Sequence, residues 1–437
     1  MTDPTTDPGP PTLPGGRAGV AIRRTTALLG SDLRSYGLAT FADQGGRILL
    51  NLVAAAALGP IVFGTWILVA ALIQYSTYAS LGLVNGAARE IPRLRGAGEP
   101  EHAAMVEDVA AGGAIIAALA AGLVAVVLSP SLFGTTLVEP WLVGLAVIFQ
   151  QLFFLQQILF RANLRFGAAA GQLGITAVAV PALGIPLLRW SVNGLVLARL
   201  LVAALVVGVA TRRLPRVPRP RWRADVAASL VRVGAPVMLA GLVFALLITI
   251  DRWLVDAWFG REAVGHYGIV TMAVAGLLVI PTFLSQQLYP HLSHARGAGA
   301  DGRQILTSAV QFGFVAGALT AVAGVAVAGT AVLLVPIFLP AYMEAIGPLA
   351  IGCAAVSVYA ASSGLGYVLN LTGRQRALVL SQLIALGTDV ALAAVFAAAG
   401  LGLASFPLAL LVTFAGYWAG MYILARGAAE RDLGAKR

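Results

Sequence analysis

The chain has 437 residues, of which 59% are hydrophobic and only 11% charged, with a formal net charge of +10. A soluble domain carries roughly a quarter charged residues, so there are too few charges here to coat a water-facing surface. The basic residues are scattered between apolar runs, which excludes a nucleic-acid-binding face, and a lone cysteine, Cys353, excludes a disulfide framework.

Residues 1–33 open with Pro, Thr, Gly and Asp and read as a disordered cytoplasmic tail. No apolar segment followed by a small-residue cleavage site marks them as a signal peptide. Apolar runs then recur at 36–58, 62–88, 105–128, 141–160, 167–188 and 192–210. After a polar break come 230–257, 264–288, 306–335, 346–369, 377–399 and 405–424. Each is close to the ~20 residues that cross a bilayer as a helix. The runs are continuous and do not alternate, so the spans read as helices, the structures that satisfy their own backbone groups in lipid. The fold class expected is all-α, a polytopic membrane protein of about twelve helices. The domains read as tail 1–33, a six-helix bundle 34–211, a basic Pro-rich cytoplasmic linker 212–225, a second six-helix bundle 226–425, and a cytoplasmic tail 426–437.

The arginines orient this reading. With the N-terminus inside, cytoplasmic segments carry Arg89, Arg93 and Arg95, then Arg161 and Arg165, then six arginines from Arg212 to Arg223, then Arg296, Arg303, Arg374 and Arg376. The outer loops carry Arg189 and Arg261 alone. That asymmetry is what the positive-inside rule requires, and it places both termini in the cytoplasm. The linker reads as a solvated segment near anionic lipid.

The halves also repeat. Gly59, Gly64 and Trp66 are matched 201 residues later by Gly260, Gly265 and Tyr267 (59 to 260, 64 to 265, 66 to 267). The same offset carries Arg95-Gly96-Ala97-Gly98 onto Arg296-Gly297-Ala298-Gly299. Six helices per half is an even number, so the bundles share one orientation and relate by a pseudo-two-fold along the membrane normal. Transporters built this way place their site between the halves.

Polar residues inside the spans mark that site, because a charge at the bilayer centre costs about 2.5–3.5 kcal/mol on insertion scales and needs a cavity or a partner. Tyr36, Thr40, Asp43, Gln44, Arg47 and Asn51 form one stripe of the first helix. Asp43 and Arg47 read either as a locking ion pair or as a cation on a water-filled lumen. The seventh span carries Asp251, Arg252 and Asp256, the last two again four apart. Uncharged stripes run through Gln74, Tyr78 and Asn85, through Gln150, Phe154, Gln157 and Arg161, and through Tyr359, Ser363, Tyr367 and Asn370, with Gln286 and Gln287 near the end of the eighth span. They suit either glycan hydroxyls or interhelical hydrogen bonds. Asp389 stands alone in the eleventh span, as a carrier of a coupling proton or sodium ion or as a structural hydrogen-bonding group. Arg199 in the sixth is a similar lone charge, functional or structurally paired, with snorkelling toward the outer face as a further reading.

Two stretches carry a family resemblance. Leu58-Gly59-Pro60-Ile61-Val62-Phe63-Gly64-Thr65-Trp66 with Leu81-Gly82-Leu83-Val84-Asn85-Gly86-Ala87-Ala88-Arg89-Glu90 resembles the opening of Wzx-type polysaccharide flippases, within the multidrug/oligosaccharidyl-lipid/polysaccharide exporter (MOP) superfamily. Ile250-Asp251-Arg252-Trp253-Leu254 with Val264-Gly265-His266-Tyr267-Gly268 looks like its second-half counterpart. The resemblance implies a multi-pass protein of the bacterial cytoplasmic membrane that moves polyprenyl-diphosphate-linked glycan from the cytoplasmic to the outer leaflet by alternating access. It also implies glycan polymerases or glycosyltransferases as partners. It implies that Arg47 and Arg252 belong to a cationic cavity; the polar stripes add Asn51, Gln74, Tyr78, Asn85, Gln150, Gln157, Tyr359 and Asn370 as candidate substrate-binding residues, and Asp43, Asp251 and Asp389 as candidate ion-coupling or ion-pairing groups. A drug exporter of the same superfamily is the alternative, favoured by the carboxylates; a scaffold or enzyme of cell-wall glycan assembly is a further one. No nucleophile constellation or Gly-x-x-x-x-Gly-Lys-Ser/Thr motif occurs, so neither an enzyme nor a bound cofactor is expected.

Overall fold

The computed structural model describes residues 17–134, 136–214, 216–297 and 301–434; it describes side chains from residue 34 onward, apart from 286–287, 289–291, 293–297, 375 and 432–434. Among the described residues it is all-helical: α1 (Arg17–Tyr75), α2 (Leu83–Gly96), α3 (Pro100–Phe133), α4 (Pro140–Ala162), α5 (Phe166–Leu187), α6 (Ser191–Thr211), α7 (Ala224–Leu247), α8 (Ile250–Phe259), α9 (Arg261–Gly297), α10 (Gly302–Phe338), α11 (Ile346–Ser362), α12 (Leu365–Leu371), α13 (Gln375–Ala398) and α14 (Ser405–Gly434), with short 3₁₀ turns between some of them.

Among the described residues, ten runs are long and apolar enough to cross a membrane. Two of them, Arg34–Tyr78 with 45 residues and Phe166–Thr211 with 46, are each long enough for two passes. Both double back. Gly59 breaks α1 with φ 72° and ψ 169°, a conformation in which a Cβ is strained, and Pro60 starts the second arm where a missing N–H costs nothing. Trp66 Nε1 consequently donates to Asn51 Oδ1 at 2.9 Å. In a straight helix those residues would lie about 22 Å apart. The second run reverses at Leu188–Trp190, so that Gln156 on α4 reaches Gln172 on α5 and Thr211 on α6 together. Gly260 repeats the Gly59 break with φ 84° and ψ 176°, at the position the 201-residue offset predicts. The lipid-facing surface is apolar: Val322, Val325, Leu333 and Ile337 share an exposed face of α10.

The termini differ from the sequence expectation. Helix α1 begins at Arg17, inside the stretch read as a disordered tail, because no proline occurs between Pro14 and Pro60 and the segment is rich in Ala and Leu. Residues 1–16 lie outside the described residues. Helix α14 likewise runs past 425 to Gly434, while Lys436 and Arg437 lie outside. So do Ala298 and Gly299 of the repeat and the side chains of Gln286, Gln287 and Arg296.

The linker is docked where a solvated segment was expected. Asp108 on α3, only 4% exposed, accepts from Arg216 through both oxygens at 2.7 Å and from the Arg219 backbone N–H at 2.7 Å. Its neighbour Glu107 accepts from Arg95 at 2.8 Å. A buried carboxylate requires such partners, and Asp108 in turn holds the Arg216 guanidinium above even its usual range for proton loss. The backbone follows: a Cβ on Gly112 of α3 would land on the carbonyl of Arg221.

Most helices pack within their own half, α1 to α6 or α7 to α14. The halves meet where α1 packs on α9 and where α2 packs on α7. The α2–α7 seam is a small-residue contact, Gly82 and Gly86 against Leu230 and Gly234. At the opposite end, where Gly59 and Gly260 turn the chain, the repeat-related pair Gly64 and Gly265 face each other. A Cβ on Gly64 would strike the Arg261 carbonyl, and one on Gly265 would strike the Pro60 carbonyl.

Candidate functional site

The polar stripe of α1 splits in the fold. Asp43 turns toward α5, accepting from Thr176 Oγ1 and, through its other oxygen, from Arg47 Nε at 2.9 Å. Gln44, Arg47 and Asn51 line a cavity of about 150 Å³ between the two halves. The second arm of α1 adds Trp66 and Gln74, α6 adds Arg199, and α8 adds Arg252. Helix α8 is a separate segment because Thr249 leaves the helical region (φ −143°), its hydroxyl donating back to Ala245 O and meeting the Tyr75 hydroxyl. That break sets Arg252 on the cavity wall.

Three arginines therefore line one small space, and among the described residues no carboxylate does. Asp43 offsets one of the three charges from behind, and Asp251, next to Arg252 in the chain, lies close enough to act on a second. Arg199 feels the charge of both Arg47 and Asp43, and its Nη2 is held by Gln150 Oε1 at 3.4 Å. The Nε atoms of Arg199 and Arg252 are buried with no partner among the described residues. Buried, unpaired N–H donors on cations are costly to leave unmade. An anion with several oxygens, such as a phosphate or diphosphate, would satisfy them, and charge-assisted bonds of this kind are the strong ones.

Of the residues singled out in the sequence, Arg47, Arg252, Asn51 and Gln74 thus come together, and Gln150 stands behind Arg199. The others do not line the cavity. Tyr78 donates to Gly241 O at 3.1 Å, tying the first half to α7. Asn85 sits half-buried on α2. Gln157 donates to Ala169 O at 3.1 Å and to Gln172 Oε1 at 2.9 Å, which makes it part of a structural network joining α4 and α5. Tyr359 stacks between Phe244 and Phe414, with ring centroids 5.1 and 5.0 Å away. Asn370 lies on a separate groove against α7 and α13. Asp256 pairs with Arg261 at 2.8 Å across the Gly260 turn, and not with Arg252 four residues before it.

Arg199 is a residue whose place the sequence left open. It lies in the cavity wall and does not snorkel. Its signal was present in Gln150, the polar residue on the facing helix that holds it.

The remaining carboxylates form a second cluster within the second half. Tyr267 donates to Asp251 Oδ2 at 2.6 Å, and both are buried. Asp389 on α13, 4% exposed, is close enough to Asp251 to feel its charge, and its Oδ1 has no partner among the described residues.

A large apolar groove adjoins the arginine cavity. It is bounded by α1, α9 and α10, encloses about 790 Å³, and shares Ile48 and Met272 with the cavity wall.

Comparison with known proteins bears on this geometry. The chain shares its fold with a variant of the Vibrio cholerae MATE transporter VcmN, at a TM-score of 0.68 and 15% identity, covering 93% of this chain and 98% of that one. An inward-facing multidrug resistance MATE family transporter of the MOP superfamily matches at 0.62 and 16%, covering 93% and 96%. A MOP superfamily transporter from Pyrococcus furiosus, described as having a binding pocket of reversed polarity that suggests a different function, matches at 0.63 and 15%, covering 93% and 96%. No curated protein sequence matches the chain. The family model for polysaccharide biosynthesis proteins matches residues 109–346, more than half of the chain, from within α3 through α4 to α10 and the start of α11. A MOP transporter fold carrying that match makes this chain a member of the polysaccharide biosynthesis protein family.

Proposed function

We propose that the protein is a flippase that moves polyprenyl-diphosphate-linked oligosaccharide from the cytoplasmic to the outer leaflet by alternating access. The observation that carries this reading is the joining of two unlike spaces at Ile48 and Met272. One is lined by Arg47, Arg199 and Arg252 and suits a diphosphate; the other is apolar and suits a long isoprenoid chain. The chemistry of an amphiphilic anion matches both at once. A cationic drug is disfavoured, because like charges facing it from the cavity wall would repel it at short range.

In this reading the chain crosses a bacterial cytoplasmic membrane twelve times in two six-helix bundles related along the normal, with both termini cytoplasmic. The matched Gly59 and Gly260 breaks and the facing of Gly64 on Gly265 support the internal symmetry; the arginine asymmetry supports the orientation. Polymerases or glycosyltransferases that make and consume the glycan are its expected partners.

The reading is tested by reconstituting the purified protein in vesicles and following a fluorescent polyprenyl-diphosphate glycan across the bilayer. Protein-dependent translocation is expected. Translocation of cationic dyes in its place would favour the exporter reading.

The Asp251–Tyr267–Asp389 cluster is the proposed place for a coupling proton or sodium ion, since a buried carboxylate with a free oxygen is costly unless it is neutralised. With Asp389→Asn, an imposed proton or sodium gradient is expected to stop accelerating translocation in the same vesicles. An undiminished response to the gradient would assign Asp389 a structural role.

A further inference from the structure

A second groove lies on the outer surface of the α7–α13 contact, at the linker end, and shares no wall residue with the arginine cavity. It encloses about 1080 Å³. Its polar residues gather at one end: Arg232 from α7, Asn370 from α12 and Arg376 from the first turn of α13. Beyond them the walls are apolar, with Pro236 on one side and Leu380 and Leu383 on the other. At the helical rise, Leu383 lies about 10 Å along the axis from Arg376, and Pro236 about 6 Å from Arg232. Proline at 236 also leaves the Arg232 carbonyl without its helical N–H partner.

Charge decides what suits the mouth. Arg232 and Arg376 are exposed, and among the described residues neither has an ion pair or hydrogen-bond partner for its side chain. No carboxylate lines the groove. The surface pocket at the same end between α10 and α14 is built differently. There Arg426 is already paired with Glu430 at 2.8 Å, beside Arg303. Two unpaired guanidiniums at a mouth that opens onto apolar walls match a molecule with an anionic head and a hydrocarbon chain, oriented along the membrane normal.

We propose that this groove is a resident site for an anionic phospholipid, its phosphate held by Arg232 and Arg376 and an acyl chain lying along Pro236, Leu380 and Leu383. A phospholipid of the surrounding bilayer is the occupant, because Val237, Leu380 and Leu383 on its walls are apolar and exposed, as lipid-facing residues are, and the groove is separate from the cavity assigned to the transported diphosphate. The site does not depend on the transport reading.

Native mass spectrometry of the full chain in mild detergent tests it, with phosphatidylglycerol and phosphatidylcholine titrated in parallel. Phosphatidylglycerol is expected to bind at least tenfold more tightly than phosphatidylcholine, and Arg232→Ala/Arg376→Ala to abolish that preference. Arg303→Ala/Arg426→Ala is expected to keep it, and Arg232→Lys/Arg376→Lys to retain part of it. Both arginines are exposed, so the variants should unfold at the wild-type temperature without lipid, which separates lost binding from lost fold. Inorganic phosphate at millimolar concentration should not displace the lipid; displacement would mean that the chain groove contributes nothing. Equal binding of the two lipids, or an unchanged preference in the Arg232→Ala/Arg376→Ala variant, would overturn the proposal.

Discussion

Arg252→Ala is expected to weaken diphosphate binding and lipid-linked glycan translocation by roughly 30-fold or more, and Arg199→Ala to act in the same direction. Truncating one member of a buried charge pair costs about 2–5 kcal/mol, and each 1.4 kcal/mol is about a factor of ten. Both residues line the cavity, and the Nε of each is buried without a partner among the described residues. Arg252→Lys keeps the charge but loses the planar fork, so it should recover only part of the loss. Arg47 behaves differently because Asp43 is bonded to it at 2.9 Å. Arg47→Ala removes a cation and leaves a carboxylate behind the cavity, so Asp43→Asn should restore part of the activity that Arg47→Ala removes. Isothermal titration with a soluble prenyl diphosphate, alongside the vesicle assay, checks all five variants. If Arg252→Ala and Arg199→Ala bind the diphosphate as the wild type does, the cavity is not its site.

The second large effect is expected at the facing glycines. Gly265→Leu would drive a side chain into the Pro60 carbonyl, and Gly64→Leu would drive one into Arg261. Backbone cannot yield there as a flexible side chain could, and overpacking of this kind costs about 1–3 kcal/mol. The strain falls on the closed form of the Gly59 end alone, so the equilibrium should move toward a form open at that end by roughly 5- to 150-fold. A cysteine at Asn51 reports it, since Asn51 lines the cavity below the glycine pair and the native Cys353 is buried. An impermeant thiol reagent should label Asn51→Cys slowly in the otherwise native chain and at least tenfold faster with Gly265→Leu, while translocation falls tenfold or more. Unchanged labelling and transport would mean that this contact is not a gate.

What the sequence conveyed follows from the range over which each signal acts. The Gly59 and Gly260 turns were legible because a glycine–apolar pattern recurs at one offset, and the fold gives both the same backbone conformation. Arg47 and Asn51 were legible from spacings of four along one helix. Arg199 was not, because a lone charge in an apolar run carries no periodicity, and only the packing of α6 on α4 shows that it faces Gln150 and the cavity. The partner of Asp256 was not legible, because helical spacing sees Arg252 four residues before it but not the Gly260 turn that brings Arg261 back over it. Gln157 showed the right residue type on the right stripe, yet its amide is spent on Gln172 and Ala169. The linker was legible in part. Arg212, Arg213, Arg219, Arg221 and Arg223 are exposed, as a solvated segment requires, whereas Arg216 and the Arg219 backbone are held by Asp108, more than 100 residues earlier in the chain.

In the proposed flippase, one site holds an anionic head against Arg47, Arg199 and Arg252 while its apolar chain lies in the neighbouring groove. The most direct measurement compares three fluorescent probes in the same protein-containing vesicles: a polyprenyl-diphosphate glycan, the same glycan on a neutral polyprenyl carrier, and a cationic dye. The account predicts translocation of the first, at least tenfold slower movement of the second, and none of the third. Equal rates for the diphosphate and neutral lipids, or transport of the dye alone, would contradict it.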